Sequence, residues 1–168
     1  MKTTTFSKAV SLRPERADDR PFLQKLYGTT REMELQNVPW TGEQKAFFIE
    51  MQFNAQTAHY KDAYFDAEFW LIERDGVPVG RLYLHQQPDD LRIVDIALLP
   101  EQRGSGIGTE ILEAIMAEAS ARRSAVSIHV EMFNPALKLY VRLGFHHVAD
   151  QGVYYLMKWT PEAKTNSH

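Results

Sequence analysis

Residues Leu91 to Leu112 read LRIVDIALLPEQRGSGIGTEIL, and the fold turns on how this stretch is parsed. It opens with an apolar, branched run, Ile93-Val94-Asp95-Ile96-Ala97-Leu98-Leu99, which predicts a buried strand ended by Pro100. Apolar residues return at Ile107, Ile111, Leu112, Ile115 and Met116, opposed by Glu110, Glu113 and Glu118. That spacing predicts an amphipathic helix. Between them lies Arg103-Gly104-Ser105-Gly106-Ile107-Gly108, so the unit is strand, glycine-rich turn, helix.

Glycines allow close backbone approach, and the first turn of a helix leaves amide N–H groups unpartnered. With the helix dipole added, such a turn is suited to phosphate or pyrophosphate. Arg103 and the hydroxyls of Ser105 and Thr109 would add donors. The alternative is a tight connection without a ligand, but each glycine then costs a helix start about 1 kcal/mol for nothing. A dinucleotide fingerprint requires G-x-G-x-x-G, whereas the spacing from Gly104 is G-x-G-x-G; a P-loop requires a Gly-Lys pair, and the chain has none. What remains is R-x-x-G-x-G at Arg103, Gly106 and Gly108.

Composition bounds the rest. A chain of 168 residues, 44% hydrophobic, suits a single domain over 1–168 with a core from about 8 to 159. Cysteine is absent, which excludes disulfides, thiolate metal sites and cysteine nucleophiles. No apolar run reaches the length of a membrane span, and the N-terminal residues lack the apolar core of a signal peptide, so a soluble cytoplasmic protein with no membrane partner is expected. The net charge of −3, with basic residues scattered, argues against a nucleic-acid partner. Residues 161–168 read as a disordered tail.

Along the chain, Ala9–Arg13 predicts a strand, and Asp18 or Asp19 is placed to cap a helix burying Phe22, Leu23, Leu26 and Tyr27. Gly28-Thr29-Thr30 weakens that helix before Arg31–Leu35 continues it. Thr41-x-x-Gln44 is a capping box for a helix over about 42–60, with an apolar stripe at Phe47, Phe48, Met51, Ala55 and Ala58. Phe53 and Tyr60 fall off that stripe beside Gln52, Gln56 and His59, a mixture suited either to packing or, with Trp40, to a pocket. Phe69–Glu73, the turn at Asp75-Gly76 and Val79–His85 form a hairpin. Ala125–Glu131 alternates, so that Ser127, His129 and Glu131 share one face. Asn134 caps a short helix with Pro135 at its first position, burying Ala136, Leu139, Tyr140 and Leu143 and stopping at Gly144. Phe145–Val148 and Val153–Trp159 close as a hairpin. The order is β-α-α-β-β-β-α-β-α-β-β, an α/β protein with a mixed sheet covered on both faces.

The glycine loop resembles the acyl-CoA pyrophosphate loop of the GCN5-related N-acetyltransferase (GNAT) superfamily. Asn134–Phe145, NPALKLYVRLGF, is similar to its second acyl-CoA motif, with one residue fewer between Asn134 and Tyr140 than in many members. The resemblance implies a GNAT-like acyl-CoA N-acyltransferase fold and acetyl-CoA as co-substrate without a metal. The implied activity is direct attack of a primary amine of a small molecule or peptide on the thioester. By position, Ile96, Ala97 and Leu98 would present backbone groups to the acetyl and pantetheine portions, with an N–H near Leu98 facing the developing oxyanion. Arg103, Gly104, Ser105, Gly106, Ile107, Gly108 and Thr109 would cradle the pyrophosphate, and Asn134 would bind the pantetheine or adenosine arm. Tyr140 matches the tyrosine that protonates the departing thiolate. His129 stands where some relatives carry a glutamate base, and Glu131 shares its face; Glu34, Asp95 or water are further candidates. The acceptor site is expected from Arg31, Glu34, Trp40, Met51, Gln52, Gln56 and Tyr155. Glu34 would hold a cationic amine and Arg31 a carboxylate, unless the two pair with each other. A homodimer is compatible with these features. The rival reading is a non-catalytic acyl-CoA-binding regulatory module. His146 and His147 alternate on a strand and cannot chelate one metal from the same face.

Overall fold

The structure, a computed structural model, describes residues 9–162; most of the tail expected at 161–168 lies outside them. A seven-stranded sheet comprises β1 (Val10–Pro14), β2 (Glu68–Arg74), β3 (Val77–Gln86), β4 (Asp90–Leu98), β5 (Ala125–Glu131), β6 (His146–Gln151) and β7 (Tyr154–Trp159). Its spatial order is β1-β2-β3-β4-β5-β7-β6, with β4 and β5 the parallel pair and every other pairing antiparallel. Helices α1 (Arg20–Gln36) and α2 (Gly42–Ala63) precede β2, α3 (Ile107–Ala121) links β4 to β5, and α4 (Leu137–Arg142) links β5 to β6. This is the element order expected from the sequence.

Strand alternation divides the apolar residues between two faces. Leu12, Ile72, Leu82, Leu84, Ile93, Val126 and Ile128 join Ile111, Leu112 and Ile115 of α3 in the main core, with Tyr140 of α4. On the opposite face Leu71 meets Leu23, Tyr27 and Phe53 of α1 and α2. Helix α1 runs unbroken through Gly28-Thr29-Thr30. The hydroxyls of Thr29 and Thr30 donate back to the carbonyls of Leu26 and Tyr27 at 2.6 Å, and Gly28 sits where an added Cβ would touch Ile49 of α2 at 3.6 Å. Asp19 makes no side-chain cap, contrary to expectation. Its carboxylate is taken by Arg13 at 2.7 and 2.9 Å and by the Arg16 N–H, and these hydrogen bonds, Arg13 first, hold it below the usual carboxylate range against the cost of burial.

The stripe expected on α2 is also corrected. Phe47 is 63% and Met51 54% exposed, whereas Phe53 is buried, with Ile49, Gln56 and Tyr60 at i−4, i+3 and i+7 also turned inward. The Thr41 capping box forms as expected, Thr41 Oγ1 accepting from the Gln44 N–H at 3.1 Å. The inward face of α2 is apolar at Ile49 and Phe53, in the cluster with Leu71, and polar farther along at Gln56 and Tyr60, which bond Arg81 and Asp95.

Candidate active site

The site is made by a bulge and a parting of strands. Tyr83 pairs with Asp95 and Leu84 with Ile93, which leaves Val94 as an extra residue on β4. A one-residue insertion reverses the alternation beyond it. Asp95 therefore lies on the α1–α2 face beside Tyr83, while Ile96 and Leu98 pack against the main core. On its other side β4 pairs with β5 only from Asp90↔Ala125 to Ile93↔Ile128. From Val94 onward the two parallel strands separate and leave a cleft. The Leu99 N–H donates to Val79 O at 2.9 Å, so by alternation the Leu98 N–H points away from β3, into the cleft. That is the orientation required of an oxyanion donor.

At the mouth of the cleft the loop after Pro100 turns through Gly104 (φ 75°) and Gly106 (φ 90°), both in the left-handed region that favours glycine. The first amide engaged within α3 is Glu110, donating to Gly106 O at 3.0 Å. The N–H groups of Ile107, Gly108 and Thr109 precede it in the unpartnered first turn. An added Cβ at Gly104, Gly106 or Gly108 would meet nothing within 4 Å, so open space lies over this cradle, room for a diphosphate against backbone amides. Arg103 is exposed and donates through Nε to Leu98 O at 3.3 Å, tying the loop to the strand end. Ser105 donates its hydroxyl to Gln102 O at 2.5 Å, so that proton shapes the loop, a different use from the ligand donor expected.

Tyr140 of α4 is 5% exposed and packs edge-on against Phe145 at 5.6 Å. Burial, and then the negative charge of Asp95, raise its phenol above the ordinary value, so it keeps its proton throughout the physiological range. Asn134 is exposed; its Oδ1 accepts from the Ala136 N–H at 2.9 Å, capping the turn that leads into α4.

His129, Ser127 and Glu131 share a face of β5, as expected. The Arg92 guanidinium, which only donates, lies 3.2 Å from His129 Nδ1; Nδ1 is therefore an acceptor and Nε2 carries the hydrogen toward Gln151 Oε1 at 2.6 Å. Both ring nitrogens are thus occupied. Glu131 is exposed at the end of β5, opposite Tyr154 of β7.

Among the expected acceptor residues, Arg31 and Glu34 pair with each other at 2.9 Å, with Arg31 stacked over Tyr27. Trp40 packs on Phe48 at 5.4 Å, and Gln52 is exposed on α2. Tyr155 pairs with Val130 and packs on the main core, so it faces away from the α1–α2 side; its neighbour Tyr154 occupies that side, opposite Glu131. Gln56 does reach the site. Its Oε1 accepts from Arg81 Nη2 at 2.7 Å, and Arg81, 4% exposed, also donates through Nη2 to Asp95 Oδ2. Tyr60 donates to the same oxygen at 3.3 Å. The guanidinium lies over the rings of Tyr83 (5.0 Å) and Tyr60 (5.9 Å). Burial works against the Arg81 charge, yet Asp95 and the two tyrosines hold its pKa above the usual value. Arg81 was not anticipated; its signal was a lone cation inside the apolar strand Val79–Leu84.

A bulged strand parting from its parallel neighbour, over an amide cradle at a helix start, is a site suited to a phosphorylated ligand laid along a strand end. Comparison with known proteins makes the class specific. Residues 31–145 match the model of the acetyltransferase (GNAT) family, and the chain belongs to that family. It is 32% identical over 133 residues to an N-alpha-acetyltransferase of Sulfurisphaera tokodaii, covering 66% of this chain and 74% of that protein. It is 29% identical over 131 residues to a putative [ribosomal protein bS18]-alanine N-acetyltransferase of Bacillus subtilis, covering 72% of this chain and 78% of that one. The fold matches a PaiA N-acetyltransferase from Thermoplasma acidophilum in complex with coenzyme A, with a TM-score of 0.70 at 14% identity, over 91% of this chain and 99% of that one. The protein is an N-acetyltransferase that transfers acetyl from acetyl-CoA to an amine. Among the described residues no His, Asp and Glu side chains group to hold a metal, and no helix is long and apolar enough to cross a membrane.

Proposed function

We propose that the acceptor is the α-amino group of a peptide or protein N-terminus, and that transfer proceeds in one step in the cleft between β4 and β5. The observation that carries the reading is the Leu98 N–H left facing the gap between β4 and β5, with the unpartnered first-turn amides of α3 following in the chain and a protonated Tyr140 close enough to Asp95 to feel its charge. The names of the two relatives support a terminal amine over a small-molecule amine.

Acetyl-CoA supplies an acetyl thioester whose carbon–sulfur bond breaks as the carbon–nitrogen bond to the amine forms. The amides of Ile107, Gly108 and Thr109, with Arg103, hold its diphosphate; Ile96, Ala97 and Leu98 line its acyl end, and Asn134 contacts the pantetheine or adenosine arm. The Leu98 N–H faces the oxygen on which charge develops. Tyr140 gives its proton to the departing sulfur. The amine's proton leaves through Glu131, which is exposed and has no side-chain partner among the described residues, whereas the one lone pair of His129, at Nδ1, is taken by Arg92 and its Nε2–H is donated to Gln151. His129 then ties β5 to Gln151 of β6 across β7 and serves as base only where Arg92 lets go.

Thiol release from acetyl-CoA is measured with a panel of N-terminal peptides, polyamines and free amino acids. Preference for peptides with a free α-amine supports the proposal, and preference for polyamines or amino acids overturns it. Coenzyme binding by calorimetry without turnover on any amine favours a regulatory module instead.

A further inference from the structure

Asp95 is held by two donors on one oxygen only. Tyr60 and Arg81 both reach Oδ2, and nothing among the described residues bonds Oδ1. The side chain is 16% exposed, and Oδ1 is not among the sealed, unpartnered atoms, so this oxygen meets solvent. The residue sits just past the last β4–β5 pair, where the neighbouring strand has moved away. Its charge reaches Tyr60 on α2 and Tyr140 on α4, with Tyr83 beside it on β3, so it stands between the helix face and the proton donor. A buried guanidinium costs desolvation, and Arg81 even leaves its Nε without a partner. A strand that needed only packing would carry an aliphatic residue there; this one spends a charge to fix a carboxylate.

We infer that Asp95, oriented by Arg81 and Tyr60, is the group that receives the acceptor: its free Oδ1 takes an N–H of the incoming cationic amine and aims the nitrogen at the thioester. The substrate class is a primary amine that binds as its ammonium form, entering along Tyr60. Arg81 is a positioning residue acting through Asp95. Glu131 then takes the proton, since Asp95 has two donors already. The inference rests on the proposed amine transfer but not on the acceptor being a peptide.

The test uses the full chain, with steady-state kinetics against the best amine of the panel and against a hydrazide that is uncharged at the assay pH. Asp95→Asn is expected to raise KM for the cationic amine about tenfold or more, in line with loss of one charge-assisted hydrogen bond. KM for acetyl-CoA is expected to stay within about twofold, the scatter of such comparisons, and the neutral hydrazide, which meets Oδ1 without a charge, is expected to lose markedly less than the cationic amine. Because Asp95→Asn leaves Arg81 buried without its counter-charge, the double variant Arg81→Gln/Asp95→Asn is made in parallel, removing both charges together. It is expected to fold and show the same selective loss. An unchanged amine KM in either folded variant, or equal losses for amine, hydrazide and acetyl-CoA, would overturn the inference while leaving acetyl transfer intact. A wild-type protein that acetylates no amine would overturn both.

Discussion

Gly106 and Gly108 flank the start of α3, and their backbones make opposite demands. Gly106 sits at φ 90°, ψ −5°, where an L side chain is strained. Gly108 has no positive φ, and a Cβ there meets nothing within 4 Å. Gly106→Ala should therefore cost about 1–2 kcal/mol, the difference between left-handed and right-handed backbone for a residue with Cβ. For a chain of this size that lowers Tm by about 2–8 °C. Relief of the strain rotates the loop and turns the Ile107, Gly108 and Thr109 amides off their common focus. Losing one charge-assisted bond to a diphosphate is worth about 1.5–3 kcal/mol, or about ten- to hundredfold in Kd. Gly108→Ala replaces the worst ordinary helix former with the best, so its Tm should be unchanged or rise by about 2 °C. Its coenzyme Kd should rise by less than that of Gly106→Ala, because the first-turn amides keep their direction and only a methyl enters the space over the cradle. Differential scanning fluorimetry gives Tm, and calorimetric titration with CoA gives Kd. Equal loss of CoA affinity in both variants would refute the assignment of binding to the loop's backbone conformation, as would full affinity in a destabilised Gly106→Ala.

Tyr140→Phe keeps the ring against Phe145 and removes only a hydroxyl, so kcat should fall about a hundredfold with Tm and acetyl-CoA KM near wild type; loss of stability with kcat intact would assign the tyrosine to packing. With its phenol pushed up by burial and Asp95, the wild-type pH–rate profile should show no fall from Tyr140 ionisation below about pH 10, the ordinary tyrosine value. Gly80→Ala would place a methyl 2.3 Å from Ala97 O and 2.8 Å from Leu98 Cδ2. It should destabilise by about 1–3 kcal/mol and raise acetyl-CoA KM by displacing the strand end, readable from melts and initial rates. Asp19 is held below its unfolded pKa, so its contribution is full above the unfolded value of about 3.9 and is lost as pH falls through the folded one. Asp19→Asn should lower Tm at pH 7 and flatten the decline of Tm on acidification, whereas a parallel decline in both proteins would exclude this carboxylate as its source.

What was legible in the sequence was local. The strand–loop–helix unit, the capping box at Thr41, the hairpin at Asp75-Gly76 and the glycine stop of α4 depend on neighbours a few residues apart, and period and turn chemistry report those directly. The α2 stripe misled because Phe47 and Met51 look apolar, while the face that turns inward was chosen by the sheet beneath it. That sheet presents Arg81 and Asp95, so Gln56 and Tyr60 pack inward and two large apolar residues stay in solvent. Tyr155 and Tyr154 were exchanged for a related reason: a strand alternates faces, and only the β5 register, Glu131↔Tyr154, says which tyrosine faces the site. The tie of Asp19 to Arg13 was invisible because it links a turn to a strand whose approach no local pattern encodes.

The extra residue Val94 links these observations. Were Val94 paired with Tyr83 in regular register instead of bulged out, Asp95 would turn toward the apolar α3 face, where an unpaired carboxylate is costly, and Ile96 would lie opposite Arg81. With the bulge, Ile96 and Leu98 return to the core, Asp95 meets its cation, and β4 twists away from β5 after a single shared stretch of pairing. The departure of β5 leaves the Leu98 N–H facing a cleft and no strand, while Leu99, the next residue, is still bonded to Val79. One bulge thus accounts both for an amide free of any strand partner and for a carboxylate beside a buried guanidinium, the two groups on which the proposed site depends.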